Sequence, residues 1–454
     1  MPDETTAQPR SIRFTDAQLE VARLQHDALT TELTSALGSI RGVVLEERDV
    51  REHVLRPAYL DDVVSSRGLE EGTPFLDLRA HIGIPHRLDV DDFGNALHAA
   101  LKDSTEGYVM QLRQHGTAIW TLEWNWAKGP GDGSEGWTPD VRMHVASVSK
   151  LITAMAMTKL LAAHGISADT PIIGYLPVYW AKGPHVGDVT FAHLMTHTSG
   201  FVTGTSSSDY PFMKAQVAAG STGTGSYHYE NMNFGLCRIL LATIDGAIST
   251  GADFAHLPFL PDLNDPIWDA ATTGAYRAYV ETNIFAAACV IGTLTHPGDD
   301  ALAYGFPTAG TGWNSGDLTT MAGGAGWHLS VDDLLAVMND FRRVGNIVSS
   351  AAAQGMLDDS FGIDLVQATP AGTLYNKNGL WQNGAAQVEQ SLAYFLPQDM
   401  ELVVLANSAV GSPAQFFRDV VTTLYVDNLH PIFDLPRLTE IVADHPIRRA
   451  VTTP

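Results

Sequence analysis

The sequence predicts an α/β domain that carries an inserted all-α domain, and three observations lead to this prediction. Strand-like runs occur near residues 107–127 and again at 372–408, towards opposite ends of the chain. The segment between them has helical patches separated by loops rich in Gly, Ser and Thr. We therefore expect the two strand regions to pair in one antiparallel sheet with flanking helices, and a functional cleft between this sheet and the helical part.

Residues 1–88 are predicted to be a separate N-terminal extension of unknown role. Thr15–Gln18 has the spacing of a capping box, and Phe14 and Leu19 occupy the two staple positions, which predicts a helix to about Leu37. The rest of the segment is charged and irregular and contains no catalytic motif. We expect a packing or oligomerisation role, and a lid or wall of a substrate pocket is the alternative.

The rest of the chain is predicted to form two domains. Residues 89–165 and 320–454 form the sheet domain, and residues 166–319 form the mostly helical domain. In the sheet domain, a helix at 90–103 is followed by a hairpin at 107–128, because a His-Gly pair separates two strand-like runs.

A long helix is predicted to begin near Ser147 and to end before Gly165, which occupies a typical C′ position. The last third of the chain then returns to strands and closes with an amphipathic helix. The predicted strands are 372–380, 390–397 and 401–408, and the closing helix is 414–429.

The composition excludes several classes of function. The chain has 454 residues, of which 45% are hydrophobic, enough for a sizeable core. Twenty-seven basic and 51 acidic residues give a net charge of −24, which argues against nucleic acid or an anionic membrane surface as a partner. The N-terminus has no basic region followed by an apolar one, and no apolar run reaches the length of about 18 residues that a membrane span needs. We expect a soluble cytoplasmic protein whose oligomeric state the sequence leaves open.

The two cysteines, Cys237 and Cys289, both lie in apolar sequence surroundings. Free cysteine is among the most often buried residue types, so we expect two buried free thiols. A disulfide between them is left open, since sequence alone does not set the distance between their Cα atoms.

No metal or other cofactor is predicted. His193 and His197 are spaced i,i+4, but the sequence between them lacks the usual Glu and no third ligand is apparent, so we expect a hydrogen-bonding structural role. Asp89–Gly94 begins like a calcium loop, but an apolar residue occupies a ligand position and the final bidentate Glu is missing.

Ser147 and Lys150 form an S-x-x-K motif at the predicted start of a helix. Residues i and i+3 lie on one helix face, so the lysine amine can reach the serine hydroxyl. The helix N-terminus favours developing negative charge, and a desolvated lysine loses proton affinity and can act as a base. The motif alone is weak, because it arises often by chance.

Two further motifs strengthen this interpretation. Tyr229–Asn231 is a Y-x-N just before a helical run, and Lys377–Gly379 is a K-x-G on a predicted strand. Roughly one chain in fifty of this composition would contain all three motifs in this order by chance.

With these motifs, residues from about 90 to 430 resemble the serine β-lactamase and penicillin-binding-protein superfamily, in its class C, DD-peptidase and family VIII esterase branch. This resemblance implies a β-lactamase-like transpeptidase fold with an antiparallel sheet of about five strands. Beyond the motifs, the matching segments are VASVSKLITAMAMTKLL, SADTPIIGYLP, TFAHLMTHTSGF, YENMNFGLCRIL and AGGAGWHLSVDDLLAVM.

The resemblance implies a role for each motif residue. Ser147 would be the acylated nucleophile and Lys150 its proton acceptor. Tyr229 would pass the proton to the leaving group and then activate the deacylating water. Asn231 would position the substrate and Lys150. Lys377 would lower the pKa of Tyr229 and attract a substrate carboxylate.

The backbone N–H groups of Ser147 and Leu380 would form the oxyanion hole, which is often a large contribution to acyl transfer. Asn378, Gly379 and Trp381 are the candidates for substrate contact, and Trp381 could stack an aromatic or acyl group at the pocket edge.

The third motif departs from the family pattern. It reads K-N-G, and Leu380 follows where Ser or Thr is common in β-lactamases. A hydroxyl that would bind a β-lactam or D-alanine carboxylate is thus missing. No acidic residue matches the deacylating base of class A enzymes, which leaves Tyr229 in that role.

These observations predict a serine hydrolase that cleaves a small ester or amide through an acyl-enzyme on Ser147, with a carboxylesterase-like activity preferred. A D-aminopeptidase or amidase, a β-lactamase, and an acyltransferase using the same intermediate are the alternatives within this chemistry. The alternative of another class is a non-catalytic binding protein that retains the fold.

Overall fold

The computed structural model describes residues 86–254, 263–307, 310–384, 387–411 and 416–431. The chain divides into two compact units, one made of Met1–Asp89 with Leu429–Pro454 and the other of Val90–Asn428. The helix predicted at Thr15–Leu37 lies outside the described residues. The predicted domain boundaries at 88, 165 and 320 stay a prediction.

The strands that the structure describes range from two to twelve residues in length. They are β1 (His86–Leu88), β2 (Gly107–Gln114), β3 (Thr117–Lys128), β4 (Glu135–Gly136), β5 (Met143–His144), β6 (His328–Leu329), β7 (Leu365–Thr369), β8 (Gly372–Asn383), β9 (Gln387–Leu396), β10 (Met400–Ala406) and β11 (Leu429–Pro431).

Most helices of the described residues lie between β5 and β6. The α-helices are α1 (Val90–Leu101), α2 (Ser149–Ala163), α3 (Phe191–Met195), α4 (Tyr210–Ala219), α5 (Asn231–Ile244), α6 (Asn264–Val280), α7 (Val331–Asn339), α8 (Ser350–Asp358) and α9 (Phe416–Asp427). In the first unit, β1 pairs with β11 in antiparallel register.

The main sheet of the second unit is antiparallel, with the strand order β4-β3-β2-β10-β9-β8-β7. Its centre joins the two ends of this unit, because β2 pairs with β10 and Leu112 lies opposite Leu402. This confirms one sheet built from both strand regions. In the described part of the chain the sheet has seven strands, where about five were expected. The two extra strands extend its edges: β4 has two residues, and β7 pairs only with the first five residues of β8.

One face of the sheet packs against α7, which contacts β2 and β10, and the core on this face continues to α2. Val109, Phe395 and Val403 belong to the same buried core as α2, and every α2 residue from Ser149 to Met157 is buried. A helix enclosed on all sides must be apolar around its whole circumference, which explains why this sequence has no polar stripe. The packing fixes the first turn of α2 against the sheet.

The other face of the sheet is covered by α1 and α9. Phe93 of α1 meets Tyr425 of α9 edge-on, with ring centroids 6.2 Å apart. Tyr394 of β9 donates its hydroxyl hydrogen to the carbonyl of Arg418 in α9 at 2.9 Å. Helices are thus present where 90–103 and 414–429 were predicted, and they end at Leu101 and Asp427, two residues earlier than expected.

Both cysteines are free thiols, but the prediction that both are buried is wrong for one of them. Cys237 is enclosed within α5, whereas Cys289 is exposed. The apolar neighbours of Cys289 contact the core from a loop after α6, and its backbone has a φ of +57°. Sequence hydrophobicity did not reveal this change of direction.

Among the described residues, one helical stretch is long and apolar enough to cross a membrane. It is Ala146–Ala163, with a mean hydropathy of 1.2, and 72% of it is buried inside the protein. A buried core helix has the same length and composition, so this is weak evidence for a membrane span. The cytoplasmic location stays a prediction.

Candidate active site

Ser147 lies half-buried in a tight turn at the start of α2. The preceding residue, Ala146, has a φ of +46°, a left-handed conformation that costs a side-chain-bearing residue about 1–2 kcal/mol. Val145 holds the turn in place, because its N–H donates to the Trp327 carbonyl at 2.9 Å and its carbonyl accepts from Ser391 Oγ at 2.6 Å. The strained turn therefore presents the Ser147 hydroxyl in a fixed direction.

Lys150 is fully buried beneath Ser147, one helical turn further on. Its Nζ donates to Ser147 Oγ at 3.0 Å, to Asn231 Oδ1 at 2.7 Å and to the Gly324 carbonyl at 2.6 Å. Burial lowers the pKa of Lys150 from its usual value, and the positive charge of Lys377 lowers it further. A neutral amine that donates to Asn231 and Gly324 directs its lone pair at Ser147 Oγ.

Tyr229 contacts the same hydroxyl from the other side. Its phenol donates to Ser147 Oγ at 2.8 Å. Lys150 Nζ and Lys377 Nζ lie 5.0 and 5.1 Å from the centre of its ring. Burial alone would raise the pKa of Tyr229, but the two lysines outweigh it and the pKa lies below its usual value of 10. Tyr229 is therefore a stronger acid than an ordinary tyrosine.

Asn231 connects Lys150 to the loop that precedes α4. It is the first residue of α5, and its Oδ1 accepts the hydrogen bond from Lys150. Its Nδ2 donates to the Ser206 carbonyl at 2.8 Å. Asn231 thus holds Lys150 and is itself held by the backbone.

His193 and His197 both make the hydrogen bonds expected of structural residues. His193 completes a capping box, because its Nδ1 accepts from Thr190 N–H at 3.2 Å. His197 stacks on the Tyr229 ring at 4.3 Å, with 29° between the planes, and its Nδ1 accepts from Glu230 N–H at 3.2 Å. Burial lowers the pKa of His197 well below its usual value, so the ring is neutral. The sequence motifs do not reveal this support of Tyr229.

Lys377 is fully buried on β8 and has a partner within the protein. Its Nζ donates to Asp364 Oδ1 at 2.6 Å. Burial would lower the pKa of Lys377, but Asp364 and Tyr229 outweigh it and raise the pKa, so Lys377 is charged. The predicted attraction of a substrate carboxylate to Lys377 thus has an internal competitor. Asp364 belongs to none of the three sequence motifs.

β8 approaches the Ser147 turn closely at Gly379. A Cβ built on Gly379 would lie 2.5 Å from the Val145 carbonyl and 3.0 Å from Ser147 N, so only glycine fits there without a shift. Asn378 N–H points away from β9, since it donates to Asp364 Oδ2 at 3.1 Å. Hydrogen-bond directions repeat every second residue along a strand, so Leu380 N–H also faces the open edge of β8. The two N–H groups predicted to form the oxyanion hole thus lie on adjoining elements.

The remaining candidates for substrate contact, Asn378 and Trp381, lie on opposite faces of β8. The side chain of Asn378 leaves the strand on the face opposite Lys377 and Gly379. Its Oδ1 is buried and accepts no hydrogen bond from any residue that the structure describes. Trp381 is half-buried and packs edge-on against His144, with ring centroids 5.5 Å apart. Contact of either residue with substrate stays a prediction.

His144 and Glu389 form a buried pair behind the Ser147 turn, which the sequence analysis also missed. Gly326 N–H donates to His144 Nε2 at 3.0 Å, so the neutral ring carries its proton on Nδ1 and donates it to Glu389 Oε2 at 2.9 Å. Burial raises the pKa of Glu389 to about 8 and lowers that of His144 to about 3. The pair ties β5 and β9 to the glycine-rich turn whose Gly324 carbonyl accepts from Lys150.

Comparison with known proteins supports the same family. A family model described as Beta-lactamase matches residues 95–424, which is more than half of the chain. Comparison with curated protein sequences gives no match.

Solved structures with the same fold cover about three quarters of this chain. A penicillin-binding protein homologue from Pyrococcus abyssi, described as octameric, aligns with a TM-score of 0.57 at 16% identity, over 78% of this chain and 81% of its own. A class C beta-lactamase from Rhodobacter sphaeroides aligns with a TM-score of 0.52 at 19% identity, over 74% of this chain and 99% of its own. A D-stereospecific amidohydrolase from a Streptomyces species aligns with a TM-score of 0.52 at 20% identity, over 74% of this chain and 98% of its own.

At these identities the solved structures establish only the fold. Membership of the family is established by the family model, which matches residues 95–424. The antiparallel sheet flanked by helices agrees with both. The chain belongs to the beta-lactamase family.

Proposed function

We propose that this protein is a serine hydrolase that cleaves small esters through an acyl-enzyme on Ser147. Family membership supports a serine hydrolase that works through an acyl-enzyme. The observation that carries the assignment to Ser147 is the double contact of its Oγ, with Lys150 Nζ at 3.0 Å and the Tyr229 phenol at 2.8 Å. One hydroxyl thus has a base and an acid within hydrogen-bond distance.

In the acylation step, Ser147 Oγ attacks the carbonyl carbon of the ester while its proton passes to Lys150 Nζ. The resulting ammonium has three N–H groups, and three acceptors surround it: Ser147 Oγ, Asn231 Oδ1 and the Gly324 carbonyl. The protonated state is therefore satisfied without rearrangement, which lowers the cost of the transfer.

Collapse of the tetrahedral intermediate breaks the bond to the leaving alkoxide, which takes a proton from the Tyr229 phenol. Lys150 keeps its proton, and Tyr229 is left as a tyrosinate. For deacylation, the tyrosinate takes a proton from a water molecule that attacks the acyl carbon, and Ser147 Oγ takes its proton back from Lys150 as the acid departs. The N–H groups of Ser147 and Leu380 would bind the oxyanion in both steps.

The K-N-G motif and Leu380 support an ester as the substrate. An apolar Leu380 follows the motif, where β-lactamases commonly have a hydroxyl that binds a carboxylate, and Lys377 is already paired with Asp364. An ester also has a better leaving group than an amide, so its cleavage depends less on proton donation from Tyr229 to the leaving group.

Intact-mass spectrometry with a fluorophosphonate tests the nucleophile. We expect one adduct, mapped to the peptide that contains Ser147, and none on the Ser147→Ala variant. Ser104→Ala, a change of the same type away from the site, should label like the wild type. p-Nitrophenyl butyrate, a D-alanyl amide and nitrocefin assayed alongside report the class of substrate. We expect turnover of the ester, and a loss on the order of 10³–10⁶ in kcat for Ser147→Ala.

Other outcomes would redirect the assignment. Turnover of the D-alanyl amide or of nitrocefin without the ester would contradict the esterase activity and leave the acyl-enzyme intact. Labelling that persists in Ser147→Ala would contradict Ser147 as the nucleophile. No adduct and no turnover would favour the non-catalytic binding protein.

A further inference from the structure

The Asp364 carboxylate occupies two hydrogen-bond donors of the candidate site. Its Oδ1 accepts from Lys377 Nζ at 2.6 Å, and its Oδ2 accepts from Asn378 N–H at 3.1 Å. Its side chain is 9% exposed and that of Lys377 is fully buried. The two oxygens of one carboxylate thus accept hydrogen bonds from the side chain of one motif residue, Lys377, and from the backbone of the next, Asn378.

The backbone fixes this carboxylate in place. Asp364 immediately precedes β7, and its N–H donates to the Asn376 carbonyl on β8 at 2.8 Å. This bond extends the β7–β8 pairing to the point where the edge of β8 becomes free. Because the carboxylate is anchored at both oxygens and through its own backbone, a competing anion would have to displace an internal, pre-positioned group.

The charge of Asp364 acts on the cleft as well as on Lys377. Asp364 Oδ1 lies 2.6 Å from Lys377 Nζ, which is itself 5.1 Å from the centre of the Tyr229 ring, so the carboxylate lies near this phenol. Consistent with this position, the Asp364 charge opposes the fall in the pKa of Tyr229. Burial raises the pKa of Tyr227, and the Asp364 charge raises it further. Tyr229 contacts the leaving group in the proposed function, so the charge lies on the leaving-group side.

We propose that Asp364 is a specificity-determining residue: it takes the position of a substrate carboxylate at Lys377 and restricts the site to leaving groups that carry no negative charge. This inference rests on the proposed function. The substrate class is thus esters with an uncharged alcohol or phenol portion. An anionic leaving group would meet the Asp364 charge and find neither donor free.

A matched pair of esters tests this directly. 3-(Butyryloxy)benzoic acid and its methyl ester share the acyl group and the scissile bond, and differ by one negative charge on the leaving group. For the wild type we expect kcat/KM to favour the methyl ester by about 10- to 100-fold, the range of a hydrogen bond to a charged group. Assays at about 0.15 M salt limit the influence of the protein's net charge, since screening acts beyond roughly 8 Å.

Asp364→Asn removes the charge and keeps the size of the side chain. We expect this variant to lose most of the preference for the methyl ester, because Lys377 can then pair with the substrate carboxylate. Asp188→Asn is the matched control, with the same change of charge at a side chain that is 68% exposed. Its preference should equal that of the wild type.

The outcomes separate this inference from the function on which it rests. Equal kcat/KM for the two esters in a wild-type enzyme that labels at Ser147 would overturn the role of Asp364 alone. An unchanged preference in Asp364→Asn would do the same. If Asp364→Asn does not fold, the wild-type ratio decides, and a ratio near one overturns the inference. No turnover of either ester and no Ser147 adduct would overturn the proposed function and this inference together.

Discussion

Replacing Gly379 with alanine should inactivate the enzyme with little change in the rest of the molecule. The new Cβ would lie 2.4 Å from Ser391 Oγ, 2.5 Å from the Val145 carbonyl and 3.0 Å from Ser147 N. Ser391 Oγ can rotate, but the other two atoms are backbone. Restoring the carbonyl contact to 3.0 Å requires a shift of about 0.5 Å, which is the tolerance of a catalytic constellation.

The magnitude follows from what the shift displaces. It separates β8 from the Ser147 turn, and so it spoils one of the two N–H groups of the proposed oxyanion hole. Loss of one such donor costs about 10²–10³ in kcat. Overpacking of this kind costs about 1–3 kcal/mol of stability, or roughly 1–3 °C in Tm for a chain of 454 residues.

Steady-state kinetics with p-nitrophenyl butyrate and thermal unfolding followed by circular dichroism measure the two effects. Gly174→Ala is the matched control, because Gly174 is exposed and a Cβ added there would meet nothing within 4 Å. It should keep kcat within about twofold, since surface substitutions rarely matter. A Gly379→Ala variant with the kcat and Tm of the wild type would refute the close approach of β8 to Ser147.

Two further predictions concern the residues around Ser147. The acylation rate with a fluorophosphonate should rise with pH through the Lys150 pKa, because Lys150 must be neutral to act as a base. Lys377→Met should move the midpoint of this pH profile to higher pH, since the Lys377 charge lowers the Lys150 pKa, whereas the control Lys102→Met should not. An unmoved midpoint in Lys377→Met would contradict the coupling of the two lysines. His197→Phe keeps a ring against Tyr229 but removes the acceptor for Glu230 N–H, so chemical denaturation should report a loss of about 1–3 kcal/mol. The exposed His164→Phe is its control, and equal stability of the two variants would count against the role of His197.

Much of the site could be predicted because its residues lie in short motifs at fixed spacings. Ser147 and Lys150 share a helix face, so their contact follows from three residues of separation. One sheet that contains both β2 and β10 was expected because strand-like runs occur near residues 107–127 and 372–408. The end of α2 before Gly165 followed from a glycine at a typical C′ position.

Other features had no such local signal. His197 was expected to have a hydrogen-bonding structural role, but its i,i+4 spacing from His193 does not reveal that its ring would stack on Tyr229. Cys289 was expected inside because its neighbours are apolar, and the turn that exposes it depends on packing after α6. The edge strands β4 and β7 were missed because short strands carry too few residues for a periodic pattern.

Motif spacing and periodicity indicate which residues could carry acyl transfer and which strands and helices hold them, because both are local properties of the chain. The surroundings of those residues depend on how distant segments pack together. Asp364 lies thirteen positions before Lys377, and the register of β7 on β8 makes it the partner of that lysine. Register is set by how whole strands pack. The charge of Asp364, which we propose selects the substrate, is therefore apparent only in the folded chain.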